Sequence, residues 1–381
     1  MLSRILKAPE QSFFLMGPRG SGKSTWLRAT FPGGYVIDLL AEDTYQRLLA
    51  SPGLFADELR ALKAPQWVIV DEVQRLPGLL NEVHRFIEEK RLRFVLCGSS
   101  ARKLKRADVN LLAGRALHRS MHPFVPEELG ADFDLDEALQ FGQLPIVWDS
   151  TTKDDTLAAY ARLYLKEEIQ AEALVRNLPG FARFLPLAAL FHGRTVNVTT
   201  IAREAGVART TVAGYLNILE ETLLCFRVPA YEAKLRVRER KLPKWYWCDP
   251  GIVRAMKRTS GVVAPEERGA LFEGMVAQLL RAYRDYRGTF DDMYYWAPAA
   301  RSRTEVDFLL VRGGREFIAV EAKSGKTFTE GWCKGLRAVA PLDGLRRRII
   351  VYPNGPVLQT KDGIEVFPFQ HFADQLADNA L

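Results

Sequence analysis

Short, mostly apolar runs recur through the first third of the chain, at 13–16, 35–39, 67–70 and 93–97, and three of them stop at glycine or an acidic residue. Runs without polar alternation fit strands buried on both faces, and the stretches between them, such as 44–62 and 101–112, carry helical spacing. A further run at 116–121 closes the series. Strands alternating with helices predict an α/β domain. Beyond residue 125 the pattern changes. Residues 132–138 and 156–173 are helical in spacing, with Leu157, Tyr160, Ala161, Tyr164 and Leu165 at three- and four-residue steps, which predicts a small helical lid. Over 198–219 a short helix, a turn at Gly206 and a second helix predict a helix-turn-helix, with Ile201, Ala202, Val207, Val212 and Leu216 facing inward. Residues 267–283 form a helix whose Leu271, Phe272, Met275, Val276, Leu279 and Leu280 turn inward, followed by strands at 293–296, 305–311 and 316–323.

The first apolar run leads into Gly17-Pro18-Arg19-Gly20-Ser21-Gly22-Lys23-Ser24-Thr25, a complete G-x-x-x-x-G-K-S phosphate loop. Its glycines let backbone amides surround phosphate oxygens, Lys23 supplies a point charge for the β and γ phosphates, and the Ser24 hydroxyl is placed to ligate Mg²⁺. The run at 67–70 ends in Asp71-Glu72, the acid pair that completes a P-loop ATPase: Asp71 holds the Mg²⁺ through its water shell and Glu72 polarises the attacking water. ATP and Mg²⁺ are the expected ligands. Small polar residues, Ser99 and Ser100, close the run at 93–97, where they act either as a γ-phosphate sensor or as helix-capping serines. Arg115, at a helix-to-strand corner, is either an arginine that reaches a neighbour's nucleotide or a solvated surface residue.

These stretches, together with V-D-E-V-Q from Val70 to Gln74, L-C-G-S-S from Leu96, A-G-R at Ala113 to Arg115 and Pro123-Phe124, resemble the prokaryotic AAA-type ATPases fused to a C-terminal domain of unknown function. The resemblance implies an AAA-like core with a small helical lid, Ser99 as sensor and Arg115 as finger. The chain departs from it twice, with Phe124-Val125 where a serine commonly follows the proline, and with Gly142-Gln143-Leu144-Pro145 in place of Gly-Gly-Pro. An arginine acting in trans makes hydrolysis depend on assembly into a homo-oligomer, a hexamer being one size.

Charge extends the picture beyond the nucleotide. Lys and Arg number 53 against 46 Asp and Glu, a net +7 that mildly favours a polyanionic partner. The second helix of the helix-turn-helix offers Arg209, Thr210, Thr211 and Asn217. The stretch 234–244 follows with Lys234, Arg236, Arg238, Arg240, Lys241 and Lys244 against Glu239 alone, as a wing that neutralises phosphates or as a charged, protected edge strand. Trp245-Tyr246-Trp247 reads as core strand. The cysteines, Cys97, Cys225, Cys248 and Cys333, are scattered without metal-ligand spacing, and no apolar run reaches membrane-spanning length, so a cytoplasmic location with no membrane partner is expected.

The C-terminal order of helix, strand hairpin and Glu321-Ala322-Lys323 resembles the PD-(D/E)xK nucleases, and by that resemblance Glu273, Asp307, Glu321 and Lys323 gather around a divalent metal. Lys323 would orient or deprotonate a metal-bound water. The register is the condition: a two-residue Gly313-Gly314 turn pairs Asp307 with Val320 and turns it away from Glu321, whereas an odd loop such as Gly313-Gly314-Arg315 brings the carboxylates together. The expected organisation is an AAA-like core over 1–125, a helical lid over 126–180, a winged helix-turn-helix over 181–260 and an α/β nuclease-like domain over 261–381. Its expected work is Mg-dependent ATP hydrolysis coupled to DNA binding or remodelling, with cleavage by the last domain if its site is live. The alternative is a nucleotide-gated protein–protein switch in which the last domain is inactive.

Overall fold

The apolar runs of the first third pair as parallel strands; the central ones are buried, and the run at 35–39 stands at an edge with Val36 exposed. The computed structural model describes residues 2–100, 112, 114–163, 169, 175, 177–233, 235, 239–298 and 304–381. Strands β1 (Phe13–Met16), β2 (Tyr35–Asp38), β3 (Trp67–Asp71), β4 (Arg93–Gly98) and β5 (Leu117–Ser120) form one sheet in the order β2-β3-β4-β1-β5, all pairs parallel. Helices α1 (Lys23–Thr30), α2 (Glu42–Ala50), α3 (Gly53–Ala61) and α4 (Leu79–Lys90) connect them. Phe14, Val68, Val70, Phe94 and Leu96 point from the sheet into one core with Leu48, Phe55, Leu59, Leu80, Val83 and Phe86. The single helix expected over 44–62 is two, because Pro52 pushes Ser51 out of helical geometry, to φ −139°, before α3 begins. The helix expected over 101–112 lies outside the described residues apart from Leu112.

Residues Arg4–His122 with Ile218–Leu224 make one compact unit; Met1–Ser3, Pro123–Asn217 and Cys225–Leu381 make the other. In this second unit the helix Pro250–Lys257 packs chiefly against Leu135–Phe141, Leu178–Leu190 and Lys153–Leu163, and also touches Pro265–Arg287. The expected boundary at 180 therefore falls inside a helix. Of the helix expected over 156–173, the part beyond Leu163 is outside the described residues except for Ile169. Asp249 ties this group together: it caps Pro250–Lys257 by accepting from the Ile252 N–H at 3.1 Å, and it accepts from the Gln143 N–H at 2.6 Å. Gly142 sits beside it at φ 79°, where a Cβ would lie 1.9 Å from Asp249 Oδ1. The Gly142-Gln143-Leu144-Pro145 stretch is thus shaped by packing onto a helix N-terminus.

Helix Leu178–Leu190 is followed by β6 (Arg194–Thr195), helices Val198–Ala205 and Arg209–Glu221, β7 (Cys225–Val228) and β8 (Lys244–Trp247), with a small sheet ordered β6-β8-β7. Gly206, at φ 65°, ends the first of the paired helices. Trp245, Tyr246 and Trp247 are buried, as expected of a core strand. A second sheet runs β13-β14-β12-β11-β10-β9, from β9 (Asp292–Trp296), β10 (Val306–Arg312), β11 (Glu316–Ala322), β12 (Leu345–Tyr352), β13 (Leu358–Gln359) and β14 (Glu365–Pro368). The long helix Pro265–Arg287 packs against both β8 and β11. At the edge strand β9, the chain preceding β8 adds backbone hydrogen bonds: Tyr231 N–H to Tyr295 O at 2.8 Å, Tyr295 N–H to Pro229 O at 2.9 Å, and Arg240 N–H to Ala297 O at 2.9 Å. Among the described residues no helix is long and apolar enough to cross a membrane.

Candidate functional site

Strand β1 delivers the chain into the phosphate loop at Gly17, where a Cβ would lie 2.4 Å from the Met121 carbonyl oxygen, so only glycine passes. Gly20 and Gly22 take left-handed conformations, with φ of 77° and 84°, and Gly22 caps α1. The turn is closed by the Ser21 N–H donating to Pro18 O at 3.2 Å. Lys23 is buried and its Nζ donates to the carbonyls of Gly17 at 2.8 Å and Pro18 at 3.1 Å. Pro18 is buried as well, while Arg19 and Thr25 are exposed. The Ser21 hydroxyl is buried with no hydrogen-bond partner among the described residues. An orphaned hydroxyl, a buried ammonium and the N-terminus of α1 around one turn fit a phosphate chain.

The register of the parallel sheet carries the acid pair of β3 to the same end. Ser24 Oγ donates to Asp71 Oδ2 at 2.7 Å. Glu72 follows in a left-handed conformation, φ 56° and ψ 44°, which is rare for a residue with a side chain and stores on the order of 1–2 kcal/mol of strain. That twist carries its carboxylate away from the strand direction and into contact with two side chains. Glu72 Oε2 accepts from Ser99 Oγ at 3.3 Å and from the Gln74 amide, whose nitrogen also lies 3.4 Å from Ser99 Oγ. Ser99 thus sits beside Glu72.

Gln74 is a member of this cluster that reading for charge and nucleophiles did not single out. It is fully buried, and a Cβ on Gly98 would lie 2.3 Å from its Oε1. Gly98→Ala is therefore expected to displace the Gln74 amide and loosen Glu72, lowering turnover of nucleotide about tenfold while its affinity holds. Steady-state rates beside a direct binding titration check this; equal loss of both would mean the loop itself had moved.

Arg115 lies at the other end of the sheet. It precedes β5, whose Leu117 pairs with Phe13, whereas the phosphate loop leaves β1 after Met16. Its guanidinium, partly exposed, pairs with Glu88 at the end of α4. In the second unit, Arg209, Thr210 and Asn217 are exposed on helix Arg209–Glu221 and Thr211 is half-buried. Of the basic stretch, Lys234, Arg236 and Arg238 lie outside the described residues. Lys241 is exposed and paired with Glu232 at 3.2 Å, and Arg240 is half-buried.

Lys244 corrects two expectations at once. It is not a phosphate-facing cation: it is buried at the start of β8, and its Nζ lies 2.9 Å from Glu273 Oε1, 3.1 Å from Asp307 Oδ1 and 3.6 Å from Glu305 Oε1. The hairpin loop is the three-residue Gly313-Gly314-Arg315, since Arg312 pairs with Glu316 and Phe308 with Val320. That register carried on sets Asp307 opposite Glu321. Asp307 Oδ2 accepts from the Ala322 N–H at 3.0 Å, the Asp307 N–H donates to Glu321 Oε2 at 3.3 Å, and Lys323 pairs with Glu321 Oε1. Tyr246 Oη donates to Glu273 Oε1 at 2.6 Å.

Glu273 and Asp307 converge on the Lys244 ammonium, while Glu321 pairs with Lys323. Among the described residues no three His, Cys, Asp or Glu side chains are placed to hold one metal ion, so the metal assignment of Glu273, Asp307 and Glu321 does not fit this arrangement. Burial acts to discharge Lys244, yet Glu273, Tyr246, Asp307 and Glu305 around it lift its pKa well above the ordinary lysine value. Burial, and next the Asp307 charge, raises the Glu273 and Glu321 carboxyls above the usual range. The signal in the sequence was a lysine opening Lys244-Trp245-Tyr246-Trp247, a run with no polar alternation.

Three family models match consecutive stretches: an AAA domain over residues 9–130, a domain of unknown function (DUF8612) over 132–262 and a domain of unknown function (DUF4143) over 268–372. Uncharacterized proteins of Mycobacterium tuberculosis and Mycobacterium bovis are each 25% identical over 371 residues, covering 95% of this chain and 80% of the relative. Among solved structures, the Aeropyrum pernix ORC1 protein in complex with DNA aligns with a TM-score of 0.28 at 13% identity, covering 66% of this chain and 87% of that one. Thermococcus gammatolerans McrB hexamers with bound McrC align with a TM-score of 0.23 at 12% identity, covering 53% and 52%. The AAA-domain match over 9–130, laid on a parallel sheet with a glycine cradle and an acid pair at one end, supports an AAA-like P-loop ATPase fold for this part of the chain.

Proposed function

We propose that the protein binds ATP with Mg²⁺ on the phosphate loop Gly17–Thr25 and hydrolyses it, coupling turnover to contact with DNA. The observation that carries the first half is the 2.7 Å bond from Ser24 to Asp71, which brings the loop and the acid pair to one point. Lys23 and the loop amides would hold the phosphates, Ser24 and Asp71 would hold the ion, and Glu72, positioned by Gln74 and Ser99, would polarise the attacking water. The ion supplies charge neutralisation on the phosphate oxygens. Mg-dependent phosphate release that disappears in Lys23→Ala tests the reading; release that survives this change would overturn it.

The second half rests on the order helix, strand, helix, helix, strand, strand over 178–247, which supports a winged helix-turn-helix, and on exposed Arg209 and Thr210 at the start of its second paired helix. Replacing Arg236, Arg238 and Arg240 by Ala is expected to weaken DNA binding for all sequences alike. The slope of log affinity against log salt should fall by about two to three units, about one for each phosphate no longer neutralised. An unchanged slope returns the stretch to an edge protected by charge. The rival reading, a nucleotide-gated protein–protein switch, gains from the withdrawal of Lys244 into the protein and the pairing of Lys241 with Glu232. ATP turnover indifferent to DNA would favour it. Arg115, at the far end of its own sheet, is proposed to serve a neighbouring subunit of a homo-oligomer.

A further inference from the structure

We infer that the carboxylates of Glu273 and Asp307 have their cation in the chain itself, as the Lys244 ammonium, with Glu321 held beside them by Lys323, and that this cluster is a cross-link between β8 and the C-terminal sheet, without metal-dependent nucleic-acid cleavage. A Mg²⁺ ion held by Glu273 and Asp307 would need oxygen distances of about 2.0–2.1 Å. Lys244 Nζ already lies 2.9 Å and 3.1 Å from oxygens of those two groups, so ion and ammonium would claim the same space with the same sign of charge. The lysine also sits 5.5 Å from the centre of the Tyr295 ring, a further contact that favours a cation there.

Its backbone is fixed in the sheet. Lys244 pairs with Thr195 on one side and Val228 on the other, at the centre of the three-stranded sheet. The next residues along β8 are anchored too: Trp245 and Trp247 are buried, and the Trp247 N–H donates to His192 Nδ1 at 3.1 Å. Tyr246, two residues on, spends its hydroxyl on the same Glu273 oxygen that meets the lysine. Swinging the Lys244 side chain aside would leave the buried Glu273 and Asp307 carboxylates without their cation. Lys323, the other ammonium of the cluster, pairs with Glu321.

The test uses the full chain without nucleotide and Mn²⁺ as the probe. Thermal unfolding of the parent should be unmoved by millimolar Mn²⁺, and supercoiled DNA with Mn²⁺ should stay intact. Lys244→Met should melt about 10 °C lower, because it leaves buried carboxylates without their cation. Mn²⁺ should then raise that variant's melting temperature, and Asp307→Asn added to it should abolish the rise. A parent that binds Mn²⁺, or nicks DNA with it, and loses this in Asp307→Asn would overturn the inference. That comparison needs no Lys244 variant to fold. Neither arm involves the phosphate loop, so loss of this inference leaves the ATPase reading standing, and the reverse.

Discussion

Glu72→Gln is expected to bind ATP as tightly as the parent and to turn it over a hundredfold or more slower. A general base contributes about 10²–10⁴ to the rate, and the amide keeps the shape of the carboxylate while losing its ability to take a proton. The left-handed backbone at Glu72 does not depend on that charge, so the fold of β3 and the Ser24–Asp71 contact should persist. Lys23→Ala should instead lose nucleotide binding itself, because the buried Nζ has no substitute inside the loop. Arg115→Ala should keep affinity and lose turnover if the arginine acts on a neighbour. The measurements are equilibrium nucleotide binding and phosphate release at several protein concentrations. Equal hydrolysis by Glu72→Gln and the parent would remove Glu72 from its role.

Asp249→Ala should destabilise the second unit by about 3 kcal/mol, through the lost cap of helix Pro250–Lys257 and the buried Gln143 and Ile252 N–H groups left without an acceptor. Burial, opposed by backbone hydrogen bonds from Gln143, Ile252, Gly251 and Leu144, lifts the Asp249 pKa from 3.8 to about 6. The sign follows from which state keeps the proton. Between about pH 4 and pH 6 the unfolded chain has released it and the folded protein still holds it, so this group's contribution is full below that window and declines as pH rises through it. The melting-temperature gap between the parent and Asp249→Asn should therefore change across pH 4–6 and stay level above it. A gap that is flat from pH 4 to pH 8 would place the titration elsewhere.

The candidate nucleotide site was legible in the sequence because the pattern that marks it is local. Gly17 to Thr25 is one turn, and Asp71-Glu72 needs only a buried strand to carry it to the same sheet end. The hairpin could be read to the point of a condition, that an odd loop would face Asp307 toward Glu321, but which loop forms depends on three residues that each tolerate several turns. Lys244 was misplaced for a different reason. In sequence it ends a basic stretch, and the acids that claim it lie 29 and 63 residues further on. Pairing of that kind is written in the tertiary fold alone. The break at Pro52 was readable, since proline cannot continue α2, and the helical spacing across it hid the stop.

The backbone bonds that Pro229, Tyr231 and Arg240 make to Tyr295 and Ala297 bear on how this protein can be taken apart. They lie along β9, an edge strand of the large sheet. A fragment starting at 261 would uncover that row of amides and carbonyls, ready to zip onto another copy, and would lose the lysine that neutralises its interior acids. A cut placed between the two separate family matches would divide a single folding unit. The smallest stable piece of this half is set by where the edge is sealed.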